Sequence, residues 1–87
     1  MLKQLNTLSW FVYIVECADG TFYTGASVDV SRRVAQHNAG TGAKYTRARL
    51  PVKLVYLEKC GDRSTALQRE GAIKKFSRKQ KIILVKG

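Results

Sequence analysis

Proline occurs once and cysteine twice in this 87-residue chain, and six acidic side chains face sixteen Lys and Arg. Two cysteines, Cys17 and Cys60, are too few for a disulfide-built scaffold and have no metal-ligand spacing. Each is expected as a reduced, half-buried side chain. No apolar run is long enough to span a bilayer: the stretch from Leu8 to Val15 is interrupted by Ser9 and Tyr13 and followed by Glu16. The N-terminus also lacks the charged start and small-residue cleavage site of a secretion signal, so the expected location is the cytoplasm. The single proline and 45% hydrophobic content argue against disorder. There is no internal repeat, low-complexity stretch or evident linker, and the length suits one small domain able to bury roughly 60% of its unfolded surface.

What is abundant is positive charge, and it is unevenly placed. Fifteen of the sixteen Lys and Arg lie from Arg32 onward, only Lys3 preceding them. Residues 1–31 carry −2 and the remainder +12, which together give the net charge of +10. Such a field attracts polyanions, of which nucleic acid is the commonest in a cytoplasm, and by itself it gives binding without sequence preference.

Residues 1–9 read as a leader, and 10–87 as the single domain. Phe11-Val12-Tyr13-Ile14-Val15 is rich in β-branched and aromatic residues, hence a strand. Ala18-Asp19-Gly20 signals a turn and Thr21 to Thr24 the return strand of a hairpin. Asp29 or Ser31 can cap a helix carrying Arg32 to Asn38. Residues 39–51 form a glycine-rich, basic loop ending at Pro51, and Val52 to Glu58 a third strand. Asp62 or Ser64 can cap a second helix running through Lys75, and Ser77 to Val85 makes a third. A β-β-α-β-α-α chain this short is best arranged as an α/β (α+β) fold, a three-stranded, mainly antiparallel sheet with packed helices.

The hairpin register decides whether Tyr13 and Tyr23 share a face. A two-residue Asp19-Gly20 loop pairs Glu16 with Tyr23 and places the phenols on opposite faces. A three-residue loop with Gly20 left-handed pairs Val15 with Tyr23 and Tyr13 with Gly25, placing both on one side. Glycine suits either turn, so both registers stay open.

Several polar residues fall where chemistry or packing can explain them. On the first helix Val30, Val34 and His37 stack at i, i+4 and i+7 with Arg33 beside them, so Arg33 and His37 share the stripe facing the sheet. An inward guanidinium needs an anion, a carbonyl or a ligand phosphate, unless it snorkels to the rim or pairs with an acid. Leu67, Glu70 and Ile73 recur every third residue, placing Glu70 on an apolar face. A structural ion pair, for instance with Arg33, accounts for that. So does a metal site, since Mg²⁺ often takes one or two carboxylates and completes its shell with water and phosphate. Tyr13 and Tyr23 fit core packing as well as a site, and His37, the only histidine, fits a satisfied buried ring. In the loop Lys44-Tyr45-Thr46-Arg47-Ala48-Arg49 an aromatic is interleaved with cations. Lys44, Arg47 and Arg49 suit phosphates and Tyr45 a base, or the loop is simply solvated. Lys74, Lys75, Arg78, Lys79 and Lys81 extend the positive field as a general electrostatic face.

Taken in order, VYI (12–14), YTG (23–25), an Arg eight residues after Gly25 and an acid on a late helix resemble the GIY-YIG nuclease superfamily. The resemblance covers about residues 10–80, and RRVAQHNAGTGAKYTR, LPVKLVYLE and ALQREGAIKKFSR look closest to its small single-domain, YhbQ-like bacterial group. It implies the antiparallel three-stranded sheet and the bulged hairpin, with both tyrosines lining one site. By position, Tyr13 corresponds to the tyrosine that orders the water and its partners, and Tyr23 to a base or proton relay. Arg33 corresponds to the arginine on the transition-state phosphate and Glu70 to the ligand of a single Mg²⁺ or Mn²⁺. His37 falls where branched-DNA nucleases also place a histidine, with base and phosphate-contact roles both open. A phenol ordinarily titrates near ~10, so such a base needs a nearby cation or a proton acceptor. The sequence departs from the pattern at Ala26, where several members carry a lysine or another polar group, and in lacking the tail asparagine of some members.

The resemblance therefore implies a metal-dependent endonuclease that hydrolyses DNA with low sequence specificity, in repair or in processing structured or single-stranded DNA. Specificity would come from DNA shape or a protein partner. The alternative is a non-catalytic DNA- or RNA-binding module on the same fold.

Overall fold

A computed structural model describes residues 9–87; the expected leader, Ser9 apart, lies outside the described residues. Seven elements follow in order: β1 (Trp10–Glu16), β2 (Phe22–Ser27), α1 (Val30–Asn38), α2 (Lys44–Arg47), β3 (Lys53–Cys60), α3 (Arg63–Lys74) and α4 (Arg78–Lys86). The order is the expected one with a single addition. The basic loop, expected to be irregular, contains the one-turn helix α2. Its Thr46 hydroxyl turns back to the Ala43 carbonyl, a local bond that holds the turn.

β1 is apolar on both faces because it is central: the sheet order is β2-β1-β3, antiparallel throughout. Val12, Tyr13, Ile14 and Val15 are all buried. One face packs Tyr13, Val15, Cys17, Val30 and Val52, with Val34 of α1 against them. The other packs Val12, Ile14 and Cys60 against Ala66 and Ile73 of α3 and Leu84 of α4. Both cysteines are free and fully buried rather than half-buried, since each lies under one of these two layers.

The hairpin takes the three-residue form. Gly20 adopts φ +84°, its N–H donates to the Cys17 carbonyl at 2.9 Å, and the Cys17 N–H donates to the Thr21 carbonyl at 2.8 Å. Val15 therefore faces Tyr23 and Tyr13 faces Gly25, which puts both phenols on the α1 side. Asp19 secures the turn by accepting from the Thr21 N–H and hydroxyl, and it binds Arg49 at 3.1 Å, tying the hairpin to the basic loop.

Of the competing caps, the aspartates act: Asp29 accepts from the Arg32 N–H at 3.1 Å and Asp62 from the Thr65 N–H at 2.8 Å. Ser77 and Gln80 form a reciprocal capping box that starts α4. Leu67, placed on the apolar stripe of α3 by its spacing, is instead 41% exposed, and Ala66 and Ile73 carry the packing.

Candidate active site

Tyr13 crosses beneath β2 because residue 25 has no side chain. A Cβ on Gly25 would lie 2.5 Å from the Tyr13 hydroxyl oxygen and 2.6 Å from Cζ. The glycine of the YTG triplet thus serves close approach. The phenol ends 2.9 Å from His37 Nε2, and His37 Nδ1 lies 2.8 Å from Thr46 Oγ1. Gly42 permits the second contact, since a Cβ there would meet Nδ1 at 2.5 Å. Two glycines therefore frame a buried Tyr13–His37–Thr46 chain that links β1, α1 and α2.

Around Nδ1 the Thr46 hydroxyl also reaches the Ala43 carbonyl at 3.0 Å, and the Ala43 N–H donates to Nδ1 at 3.4 Å. Nε2 is occupied by the Tyr13 hydroxyl, so neither ring nitrogen is open to solvent. Burial lowers the His37 pKa below its ordinary 6.5, and the Arg33 charge acts in the same direction, so the ring is neutral at pH 7. Burial pushes the Tyr13 phenol up to about 12, only partly offset by Arg33. The Glu70 carboxylate raises it further.

Tyr23 is held differently. Its ring meets His37 edge-on at 5.3 Å and stacks on Tyr45 at 6.0 Å with 24° between planes. The Arg49 guanidinium lies over the Tyr45 ring at 4.0 Å from its centroid, a cation–π contact. Arg33 is half-buried and donates to Gln36 Oε1 at 3.0 Å. Among the described residues it forms no salt bridge, so the suggested Glu70–Arg33 pair is not present. Glu70 pairs instead with Lys74, four residues on in α3, at 2.8 Å, and this bond raises the Lys74 pKa.

Tyr13, Tyr23, Arg33, His37 and Glu70 are thus brought together from β1, β2, α1 and α3. Two of them sit in different relations from those their positions suggest: His37 is 0% exposed with both ring nitrogens occupied, and Tyr13 is its partner. The basic residues divide in two. Arg49 is engaged with Asp19 and Tyr45, Lys74 with Glu70, and Arg78 donates to the Gly20 carbonyl at 3.0 Å while covering Phe22. Lys44, Arg47 and Lys75 are exposed. Sequence reasoning missed Thr46, Gly42 and Gln36. Gln36 stands three residues from Arg33, a spacing that offered a signal. Thr46 and Gly42 gave none, since their roles depend on where α2 folds back.

The site has one carboxylate at its heart, and its side chain is 17% exposed. Among the described residues no three His, Cys, Asp or Glu cluster to hold an ion by themselves. A single carboxylate with this little exposure is a donor that suits a hard divalent cation taking water and phosphate oxygens for its other ligands. No helix among the described residues is long and apolar enough to cross a membrane.

Comparison with known proteins agrees with this geometry. Residues 9–82 match the GIY-YIG catalytic domain. A UPF0213 protein of Desulfotalea psychrophila is 57% identical over 79 residues, covering 90% of this chain and 72% of its own. One from Halobacterium salinarum is 59% identical over 70 residues, covering 80% and 91%. The solution structure of a UPF0213 protein from Bacillus halodurans superposes with a TM-score of 0.58 at 44% identity, covering 90% of this chain and 83% of that one. The solution structure of a protein from E. faecalis gives a TM-score of 0.59 at 46% identity, covering 87% of this chain and 81% of that one.

Proposed function

Because the chain belongs to the GIY-YIG family, a nuclease-type domain that acts on nucleic acid and generally uses a divalent metal, we propose that residues 10–87 form a metal-dependent DNA endonuclease. It would act with little sequence preference on structured or single-stranded DNA, in repair or processing within the cytoplasm, any further specificity being supplied by a protein partner. The carrying observation is that Arg33, without a carboxylate partner, and the desolvated Glu70 converge on two tyrosines beneath a basic loop.

Glu70 would hold the Mg²⁺ or Mn²⁺, which when bound supplies charge neutralisation for the leaving oxygen. Arg33, its charge unspent on an acid, takes the non-bridging phosphate oxygens, and Gln36 keeps the guanidinium in place. Tyr23 is the phenol for the attacking water, because the Tyr13 hydroxyl is buried against His37 whereas Tyr23 is only half-buried. Its oxygen accepts a water proton as its own proton passes to solvent, while the water oxygen bonds to phosphorus, the ester P–O bond breaks and the leaving oxygen takes a proton from solvent. Tyr13 and His37 are positioning residues, fixing β1, α1 and α2 around the phosphate. Lys44, Arg47 and Lys75 contribute long-range attraction, and the Tyr45 face offers a base a stacking surface.

The test is cleavage of single-stranded, duplex and branched DNA with Mg²⁺ or Mn²⁺, beside EDTA, Glu70→Gln and Arg33→Ala. Losses of about 10²-fold or more in either variant, with fold and most DNA affinity kept, are expected. Salt-dependent binding with no metal-dependent product on any substrate would replace this reading with the non-catalytic module.

A further inference from the structure

Glu70 is the one acid left to the site. Asp19, Asp29, Glu58 and Asp62 are spent on Arg49, the α1 cap, Arg69 and the α3 cap, and Glu16 lies at the end of β1. A carboxylate as desolvated as Glu70 needs a positive partner, and Lys74 Nζ supplies one at 2.8 Å from Oε2. From the reading of Glu70 as the metal ligand, we infer that Lys74 is the counter-ion of the metal-free site and that a divalent cation must displace it. A metal on the Glu70 carboxylate and an ammonium on the same carboxylate repel at close range, so the two compete.

The geometry gives the displaced ammonium a destination. Lys74 sits in the last turn of α3, half exposed, on a flexible four-carbon stem. Its nitrogen is already 5.9 Å from the Tyr23 ring centroid, at a recess of about 280 Å³ that Thr24, Tyr45 and Lys81 also line. Released there, Lys74 keeps its charge beside the phenol that faces the water and joins Lys81 as a second cation for a substrate phosphate. The pair thus keeps Glu70 in place before metal arrives, at the cost of a weaker apparent metal affinity.

The experiment is Mn²⁺ titration of the full chain without DNA, by calorimetry or electron paramagnetic resonance, for wild type, Lys74→Met, Lys74→Arg and Glu70→Gln. Lys74→Met should bind Mn²⁺ about fivefold more tightly, the equivalent of a partly buried charge pair removed. Lys74→Arg should stay near wild type, and Glu70→Gln should bind none. In parallel, saturating Mg²⁺ should raise the acetylation rate of the Lys74 amine, read by mass spectrometry, in wild type but not in Glu70→Gln. Equal or weaker Mn²⁺ binding by Lys74→Met, with Glu70→Gln still inactive in binding, overturns the counter-ion role and leaves the metal assignment standing. So does a Lys74 acetylation rate indifferent to Mg²⁺. Mn²⁺ binding untouched by Glu70→Gln overturns both.

Discussion

Adding one methyl group at Gly25 should unfold the site from within. The new Cβ would lie 2.5, 2.6 and 2.9 Å from the Tyr13 Oη, Cζ and Cε1 atoms, all inside the 3.4 Å at which ordinary contact begins. The ring cannot swing aside freely, being 1% exposed and bonded at its tip to His37. Overpacking of this kind costs about 1–3 kcal/mol, and losing the buried hydrogen bond adds about 1 kcal/mol. A total of about 2–4 kcal/mol is a large part of the roughly 4–13 kcal/mol that holds a domain of this size. Gly25→Ala should therefore lower the urea midpoint sharply and the Tm by roughly 10–25 °C.

The decisive assay is a double-mutant cycle with Tyr13→Leu, which removes the three atoms that clash. In the Tyr13→Leu background, Gly25→Ala should cost less than about 0.5 kcal/mol, giving a coupling of about 2 kcal/mol or more. A Gly25→Ala variant as stable as wild type, or equal costs in both backgrounds, would refute the close-approach argument. The glycine would then have to be explained by the backbone alone, although its φ is not positive.

Two pH dependences follow from the same chain of hydrogen bonds. Tyr13 rises from 10.0 to about 12 on folding, so its neutral form contributes stability that is present below pH 10 and withdrawn by about 3 kcal/mol as pH climbs to 12. Tyr13→Phe should flatten that alkaline limb in denaturation curves, and an unchanged limb would remove Tyr13 as its source. His37 is lowered, so its contribution is present above the unfolded value of 6.5 and is lost as pH falls from there through the folded pKa. Because the chain has a single histidine, its Cε1 proton resonance reports this directly: a midpoint at or above 6.5 would contradict the buried neutral ring.

Local chemistry made most of the framework legible. The β-branched run of β1, the Ala18-Asp19-Gly20 turn and the aspartate caps each act through neighbours in sequence, and each formed where its residue types direct. Helical spacing likewise placed Arg33 and His37 on the inward stripe and Glu70 on an apolar one. Spacing failed at Leu67, which lies in solvent because α3 packs through Ala66 and Ile73, a difference of helix rotation that only the sheet beneath it sets.

Residue order alone made plain which residue types were on hand, where the turns and caps fall, and which helical positions of α1 face inward. Their partners came from how the separate elements pack. The turn residues allowed two hairpin registers, and the folded one puts Tyr13 over Gly25 and both phenols on one side. Arg33 finds Gln36 and no acid, Glu70 finds Lys74, and the histidine closes a chain between Tyr13 and Thr46. The physical reason is that propensity and periodicity act over a few residues, whereas these contacts depend on where separate elements pack. Tyr13 and His37 are 24 positions apart, and what joins them is the space left by two glycines.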